Sequence, residues 1–253
     1  MKLSKKILSV FLAAVTAVTM LAVGTTSAFA AGWVSSARSV NFGTWYNEYL
    51  GVDADYYYYA CKISVPARGK VAIRVQAEEE YPEFDIYKTS NVDNVYASSS
   101  GEGSCRTSCD FGYSSGGGYE WEVQTFLLPA GSYYIAFKDF SDQLEFDFRL
   151  SYTPSFSNTS LSKVSAKKKA FNAKWKKCSN VSGYQLQYST KKNMKSAKTY
   201  TFKGNKTTSK TVSKLKKKKT YYVRVRTYKT VKINGKNKTY YGKWSSKKAV
   251  KTK

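Results

Sequence analysis

After residue 30 the chain shows no long apolar stripe of helical period. Instead, hydrophobic and polar residues alternate in short runs, the pattern of half-buried strands. In the first half, Val71, Ile73 and Val75 alternate with Ala72 and Arg74, and Phe84 and Ile86 with Asp85 and Tyr87. Trp121, Val123 and Thr125 alternate with Glu120, Glu122 and Gln124, which predicts an inward Trp121 face. Tyr133, Ile135 and Phe137 follow the turn Leu128-Pro129-Ala130-Gly131, and Leu144, Phe146, Phe148 and Leu150 close the series. Each run has one apolar face, so each can cover one side of a core. Short strands between Gly, Ser and Asp turns predict an antiparallel β-sandwich. Residues 98–118, rich in Ser and Gly, read as an exposed loop or irregular hairpin.

The pattern pauses at residues 154–160, small and polar in the manner of a linker, and then resumes. Strands are predicted around Phe171–Trp175, Tyr184–Tyr188, Tyr200–Phe202 and Val212. A long strand carries Tyr221, Val223 and Val225 on one face and Tyr222, Arg224, Arg226 and Tyr228 on the other. Asn234-Gly235 predicts a hairpin turn, because both positions accept positive φ, with Tyr240 to Lys251 as the returning strand. The expected fold class is all-β: two antiparallel β-sandwiches in tandem, the second immunoglobulin-like. They occupy residues 31–153 and 161–253, joined by 154–160.

Residues 1–30 fall outside this scheme. Lys2, Lys5 and Lys6 precede the apolar stretch Ile7 to Val23, and Ala28-Phe29-Ala30 supplies a small-x-small cleavage site. These are the three parts of a secretory signal peptide, which implies export with no membrane span after cleavage. Export permits disulfides among Cys61, Cys105, Cys109 and Cys178, in any of three full pairings. Cys105 and Cys109 can bridge a tight loop, Cys61 could reach either, and Cys178 reads as a free, partly buried thiol.

Charge separates the two halves further. Residues 154–253 hold 28 Lys, two Arg and no Asp or Glu, whereas residues 31–153 carry 9 basic and 17 acidic residues. A surface of one sign attracts polyanions. Lys is a hydrated point charge without Arg's planar fork, so the field is diffuse rather than base-reading.

The second half resembles a fibronectin type III domain over residues 157–253. The resemblance rests on Trp175, Gly183-Tyr184-Gln185-Leu186-Gln187-Tyr188, Leu215 followed by Tyr221, Val223 and Val225, and Tyr240-Tyr241-Gly242-Lys243-Trp244-Ser245. It implies an immunoglobulin-like sandwich with Trp175, Leu215 and Tyr221 as structural residues. Tyr221 would close a tyrosine corner. The first half resembles a bacterial pre-peptidase C-terminal (PPC) domain. The matching pieces are Asp53-x-Asp55-Tyr56-Tyr57, Gly69 to Ile73, Asp85-Ile86-Tyr87 and Leu128 to Ile135. That resemblance implies a sandwich appended to secreted hydrolases, some relatives of which bind calcium, collagen or polysaccharide.

Catalytic chemistry finds little footing in the residues. The chain has no His, which removes Ser–His and Cys–His nucleophiles and makes zinc at the Cys105–Cys109 pair improbable. Glu78, Glu79, Glu80, Glu83 and Asp85 cluster, but a solvated acidic loop accounts for them. Asp53 and Asp55, with Asp139, Asp142 and Asp147, are weak calcium candidates, with oxygen ligands but no EF-hand spacing; no other cofactor is expected. The candidate ligand face is Tyr222, Arg224, Arg226 and Tyr228. The expected role is a secreted, non-catalytic adhesion or binding protein at a Gram-positive surface. Its basic domain would hold anionic wall polymers or glycans, or an extracellular protein. Alternatives are an accessory carbohydrate-binding subunit of a secreted hydrolase, and extracellular nucleic-acid binding.

Overall fold

The computed structural model describes residues 37–50, 58–78, 82–100, 106–113, 120–138 and 144–253. All regular elements among them are strands. The chain divides between Tyr152 and Thr153 into two compact units. No helix among the described residues is long and apolar enough to cross a membrane. The signal-peptide reading, Cys105, Asp53, Asp55, Asp139 and Asp142 lie outside the described residues.

The first unit holds β1 (Arg38–Ser39), β2 (Trp45–Leu50), β3 (Tyr58–Val65), β4 (Gly69–Ala77) and β5 (Glu83–Lys88). It continues with β6 (Asn91–Ser98), β7 (Arg106–Tyr113), β8 (Glu120–Leu128), β9 (Gly131–Lys138) and β10 (Leu144–Pro154). One sheet has the order β1-β3-β9-β5-β6, the other β2-β10-β4-β8-β7. The β2–β10, β3–β9, β4–β8, β5–β6, β5–β9 and β7–β8 pairs are antiparallel, and β1 runs parallel to β3. The sheets face each other through rings: Phe137 of β9 lies 5.1 Å from Phe146 and 4.8 Å from Phe148 of β10, and Phe84 of β5 lies 5.8 Å from Phe126 of β8. Each such buried side chain contributes about 1.5–3 kcal/mol.

Two expectations fail here. In β8 the faces are reversed: Glu122 and Gln124 point inward with Phe126 and Leu128, while Trp121 and Val123 are half-exposed. Register explains it. Trp121 and Val123 sit opposite Gln76 and Arg74, the polar face of β4, and Phe126 opposite the buried Val71. Two aromatic or aliphatic anchors at the end of the strand outweigh two buried polar groups, provided those are hydrogen-bonded. Gln124 Nε2 donates to Glu122 Oε1 and, at 3.1 Å, to the Ser99 carbonyl. Asp85 is likewise not part of a solvated loop. It is buried in β5, 2.9 Å from Lys138 Nζ, with Glu83 at 3.9 Å from the same nitrogen. Residues 98–118, expected as an exposed loop or irregular hairpin, contain strand β7, which pairs antiparallel with the following β8 through a register shift between Arg106 and Ser108.

The second unit holds β11 (Leu161–Lys167), β12 (Ala170–Trp175), β13 (Gly183–Ser189), β14 (Lys198–Lys203) and β15 (Ser209–Val212). Then follow β16 (Thr220–Ile233), β17 (Lys236–Tyr241) and β18 (Lys248–Lys251). A sheet β11-β12-β15 packs on a sheet β14-β13-β16-β17 in which β18 also pairs β16. Phe171, Trp175, Tyr184, Leu186, Val223 and Val225 fill the space between. Asn234 and Gly235 turn β16 into β17 with φ of 48° and 77°. The returning segment is not one strand: β17 pairs the end of β16 and β18 its beginning, and residues 242–247 intervene.

The segment read as a linker is largely fixed to this unit. Thr227 Oγ1 donates to the Ser157 carbonyl at 2.8 Å and Thr159 Oγ1 to the Lys176 carbonyl at 2.6 Å. Asn158 Oδ1 accepts from the Lys243 amide at 2.8 Å. Small polar residues here supply side-chain bonds to the sheet rather than chain flexibility.

Candidate functional site: a guanidinium–aromatic face on the second unit

The two Arg of the second unit lie two residues apart on β16, so both point to the same, outer side of the sheet. Register places Arg224 opposite Gln187 and Arg226 opposite Gln185 on β13, and these opposite Thr199 and Thr201 on β14. Two parallel rows result. Arg224 donates through Nε and Nη2 to Gln187 Oε1 at 3.0 and 2.8 Å, and Gln187 Nε2 donates to Thr199 Oγ1 at 3.0 Å. Arg226 bonds Gln185 Oε1 at the same two distances, and Gln185 Nε2 reaches Thr201 Oγ1 at 3.3 Å.

The other side of each guanidinium meets a ring. Gly242 interrupts the edge strand while its N–H still bonds the Thr227 carbonyl at 3.0 Å. The chain rejoins β16 at Ser245, whose N–H bonds the Val225 carbonyl at 2.8 Å and whose Oγ accepts from Val225 N. Between these two points Trp244 is laid over β16, 4.3 Å from each guanidinium carbon. Tyr241 covers Arg226 from 3.9 Å. Such contacts fix the planes and contribute about 0.5–2 kcal/mol each, depending on desolvation.

The unit itself supplies no Asp or Glu to answer the charge of this pair. Desolvation holds both Arg below their ordinary pKa, and for Arg226 the neighbouring Arg224 adds to the lowering. An Arg nevertheless stays protonated in proteins. The face is therefore two fixed cations held by neutral oxygens, with no hydrogen bond from Nη1 of either among the described residues. An incoming carboxylate, sulfate or phosphate would meet preset donors and relieve a like-charge repulsion.

Of the predicted ligand face, Tyr222, Arg224 and Arg226 are half-exposed together. Tyr228 is not: it is 8 % exposed, its hydroxyl donating to the Phe202 carbonyl at 3.3 Å. It shares the parity of the Arg pair but fills the space over Gly183, which has no side chain to meet it. Trp175 is buried against Tyr184 and Phe202, and Leu215 packs at the core's edge. Tyr221 is buried, its hydroxyl accepting from the Lys216 amide at 3.1 Å. Gln185 and Gln187 were not singled out from sequence. Their signal was an i, i+2 spacing equal to that of the Arg pair on the neighbouring strand.

Both described thiols are free and buried. Cys61 takes no part in a bridge to Cys105 or Cys109, contrary to one of the expected pairings, and its burial pushes its pKa up to about 12. Cys178 is free, and its thiol points at the Asn158 carbonyl from 3.4 Å. No cluster of three or more metal-ligating side chains exists among the described residues. Asp147, on β10, instead accepts from Asn47 and Gln76.

Residues 152–245 match the fibronectin type III domain model. Solved structures similar to the chain include the pre-peptidase C-terminal domain of a Bacillus anthracis collagenase, at 14 % identity. That match covers 46 % of this chain and 94 % of the other, with a TM-score of 0.33. They also include a Fn3-like protein from Clostridium thermocellum, at 20 % identity over 38 % of this chain and 90 % of the other, with a TM-score of 0.23. The fn3 domain of human contactin 1 is similar at 14 % identity, covering 39 % of this chain and 81 % of the other, with a TM-score of 0.31. Comparison with curated proteins yields no match. Over residues 152–245 the second unit thus matches the fibronectin type III family, and the described residues of the chain form an all-β fold.

Proposed function

We propose that the chain is an exported, non-catalytic binding protein whose fibronectin type III domain holds an anionic polymer of the bacterial surface. The observation that carries this reading is a domain with 30 basic residues and no acidic one, on which the only two Arg are locked side by side and unneutralised. The Lys field draws the polyanion in, and the Arg pair grips one anionic group after another. A wall polymer or acidic glycan supplies such groups at regular spacing. Nucleic-acid phosphates would be drawn by the same field, but the domain has no second exposed Arg cluster to read bases.

The domain has its own core and can be tested alone as residues 153–253. It should bind purified Gram-positive walls and polyphosphate at about 0.1 M salt, where the Debye length is about 10 Å, and release them near 1 M, where it is about 3 Å. Replacing Arg224 and Arg226 together by Lys keeps the charge and removes the planar forks. That variant should bind about tenfold more weakly, equivalent to about 1.4 kcal/mol. Absence of binding at low salt refutes the reading. Unchanged affinity in the double Lys variant would leave the field alone as the anchor. Displacement of the domain from walls by a lower concentration of duplex DNA phosphate would make nucleic acid the ligand.

A further inference from the structure

We infer a second binding face, on the outer side of β2 and its neighbours in the first unit, that takes a neutral polysaccharide chain. It rests on side chains remote in sequence from the Arg pair and is independent of the polyanion reading. The edge strand β2 presents Trp45, Asn47 and Tyr49 outward while Tyr46 and Leu50 turn in, Tyr46 stacking on Phe148 at 5.1 Å. Trp45 is 41 % and Tyr49 55 % exposed, both far above what a core aromatic shows. Four residues of strand separate them, about 13 Å at roughly 3.3 Å per residue.

The surface between these rings is set rather than loose. Asn47 Nδ2 donates to Glu145 Oε1 at 3.0 Å and to Asp147 Oδ1 at 3.1 Å, and Gln76 Nε2 donates to Asp147 Oδ2 at 3.1 Å. Those bonds consume the carboxylates' inner oxygens and leave the amide oxygens of Asn47 and Gln76 without a protein partner among the described residues. One guanidinium, Arg74, bridges two indoles, 5.6 Å from the Trp45 centroid and 4.8 Å from that of Trp121. Its Nε is buried and makes no hydrogen bond. Arg149 lies 5.9 Å from the Trp45 centroid.

Charge and spacing select the occupant. Around these rings Arg74 and Arg149 balance Glu145 and Asp147, whereas the second unit has no acidic side chain to set against its cations. A protein partner's hot spots favour Trp, Tyr and Arg too, but within a core depleted of Asp, Glu and Lys. Here ionised and amide groups stand between every pair of rings. A pyranose chain fits that interleaving. Its C–H faces lie on indole and phenol rings, and its rim of hydroxyls donates to amide and carboxylate oxygens and accepts from guanidinium.

The test uses the intact two-unit protein in about 1 M salt, where the Debye length of about 3 Å silences the Lys field. Mixed-linkage β-glucan, xylan, galactomannan and soluble starch are titrated in turn by calorimetry. At least one should bind. Trp45→Ala and Tyr49→Ala should each weaken it at least about tenfold, and Trp45→Phe, which keeps a ring, by less. Tyr49 is exposed, so Tyr49→Ala should melt with the parent; Trp45→Ala also loses the Arg74 and Arg149 contacts and should melt a few degrees lower while remaining folded, and the melt is recorded beside each titration. No heat with any of the four, or affinity indifferent to both alanines, overturns the assignment. So does sedimentation showing a dimer that Tyr49→Ala disperses, which would make the face a contact between copies of the chain.

Discussion

Replacing Tyr221 by Phe deletes one oxygen and leaves the ring in place. The ring is 6 % exposed and lies 6.2 Å from Phe171 and 6.1 Å from Tyr188, contacts that Phe retains. What is lost is the bond in which Tyr221 Oη accepts from the Lys216 amide at 3.1 Å. Lys216 is exposed, so water can take the freed N–H. The loss should then be that of an ordinary exchanged hydrogen bond, about 1 kcal/mol, and not the about 1–3 kcal/mol of a stranded buried donor. In a domain of this size that lowers the melting temperature by about 4–8 °C. Tyr222→Phe is the paired control. Its ring stands on the outer face opposite Ala249, with no hydroxyl bond among the described residues, so the change should stay within about 0.5 kcal/mol. Urea denaturation of residues 153–253 reads both at unchanged slope. Equal losses, or a larger one for Tyr222→Phe, would refute the assignment of the corner and of the strand faces.

Other outcomes follow from the same packing. Gly183→Ala would place a Cβ 2.0 Å from the Phe202 carbonyl oxygen and 2.7 Å from the Tyr228 ring, so calorimetric unfolding should show a loss of about 3 kcal/mol or more. Trp244→Ala removes two half-exposed guanidinium contacts and should destabilise the domain by about 1–2 kcal/mol in urea; no change would mean that the ring does not hold the face. Cys61 predicts an alkaline loss of stability in the first unit, because its folded pKa of about 12 lies above the unfolded value. The folded thiol keeps its proton while the unfolded one, ionising near about 8.5, gives it up. Stability is therefore full below that pH and falls by about 1.4 kcal/mol per unit as pH rises toward 12. Cys61→Ala should flatten that part of the slope in denaturation at successive pH values, and in the parent the thiol should react with a disulfide reagent only on unfolding.

Strand positions were legible wherever apolar residues recur every second place, as in β4, β10, β12, β13 and β16. Faces were less so. Period two states that neighbours point opposite ways but not which set is inside, and β8 was misread because its two strongest inward residues, Phe126 and Leu128, lay beyond the stretch weighed. Tyr228 fails for a related reason. Parity puts it on the outer face, but burial depends on Gly183, forty-five residues earlier and directly across the register. The split of the returning segment into β17 and β18 was hidden because Tyr-Tyr-Gly-Lys-Trp reads as continuous strand, and only the Gly242 break frees Trp244 to cover the Arg pair. The polar rows through Gln185 and Gln187 needed that same register.

Net charge and site are different kinds of signal, and the two basic residue types separate them. Twenty-eight Lys spread over the second unit give a potential that any polyanion feels and that salt removes. They carry little geometric information, because each ammonium is a mobile, hydrated head on a long stem. The two Arg add almost nothing to that total, yet each has its plane fixed by a Gln oxygen on one edge and an aromatic ring on its face. Had the domain needed only attraction, Lys at 224 and 226 would have served as well as it does elsewhere on the surface. A Lys could neither bridge a Gln oxygen through two donors nor lie flat against Trp244. The presence of Arg at the two positions where a fork and a stacking plane are both used is what turns a charged surface into a candidate site.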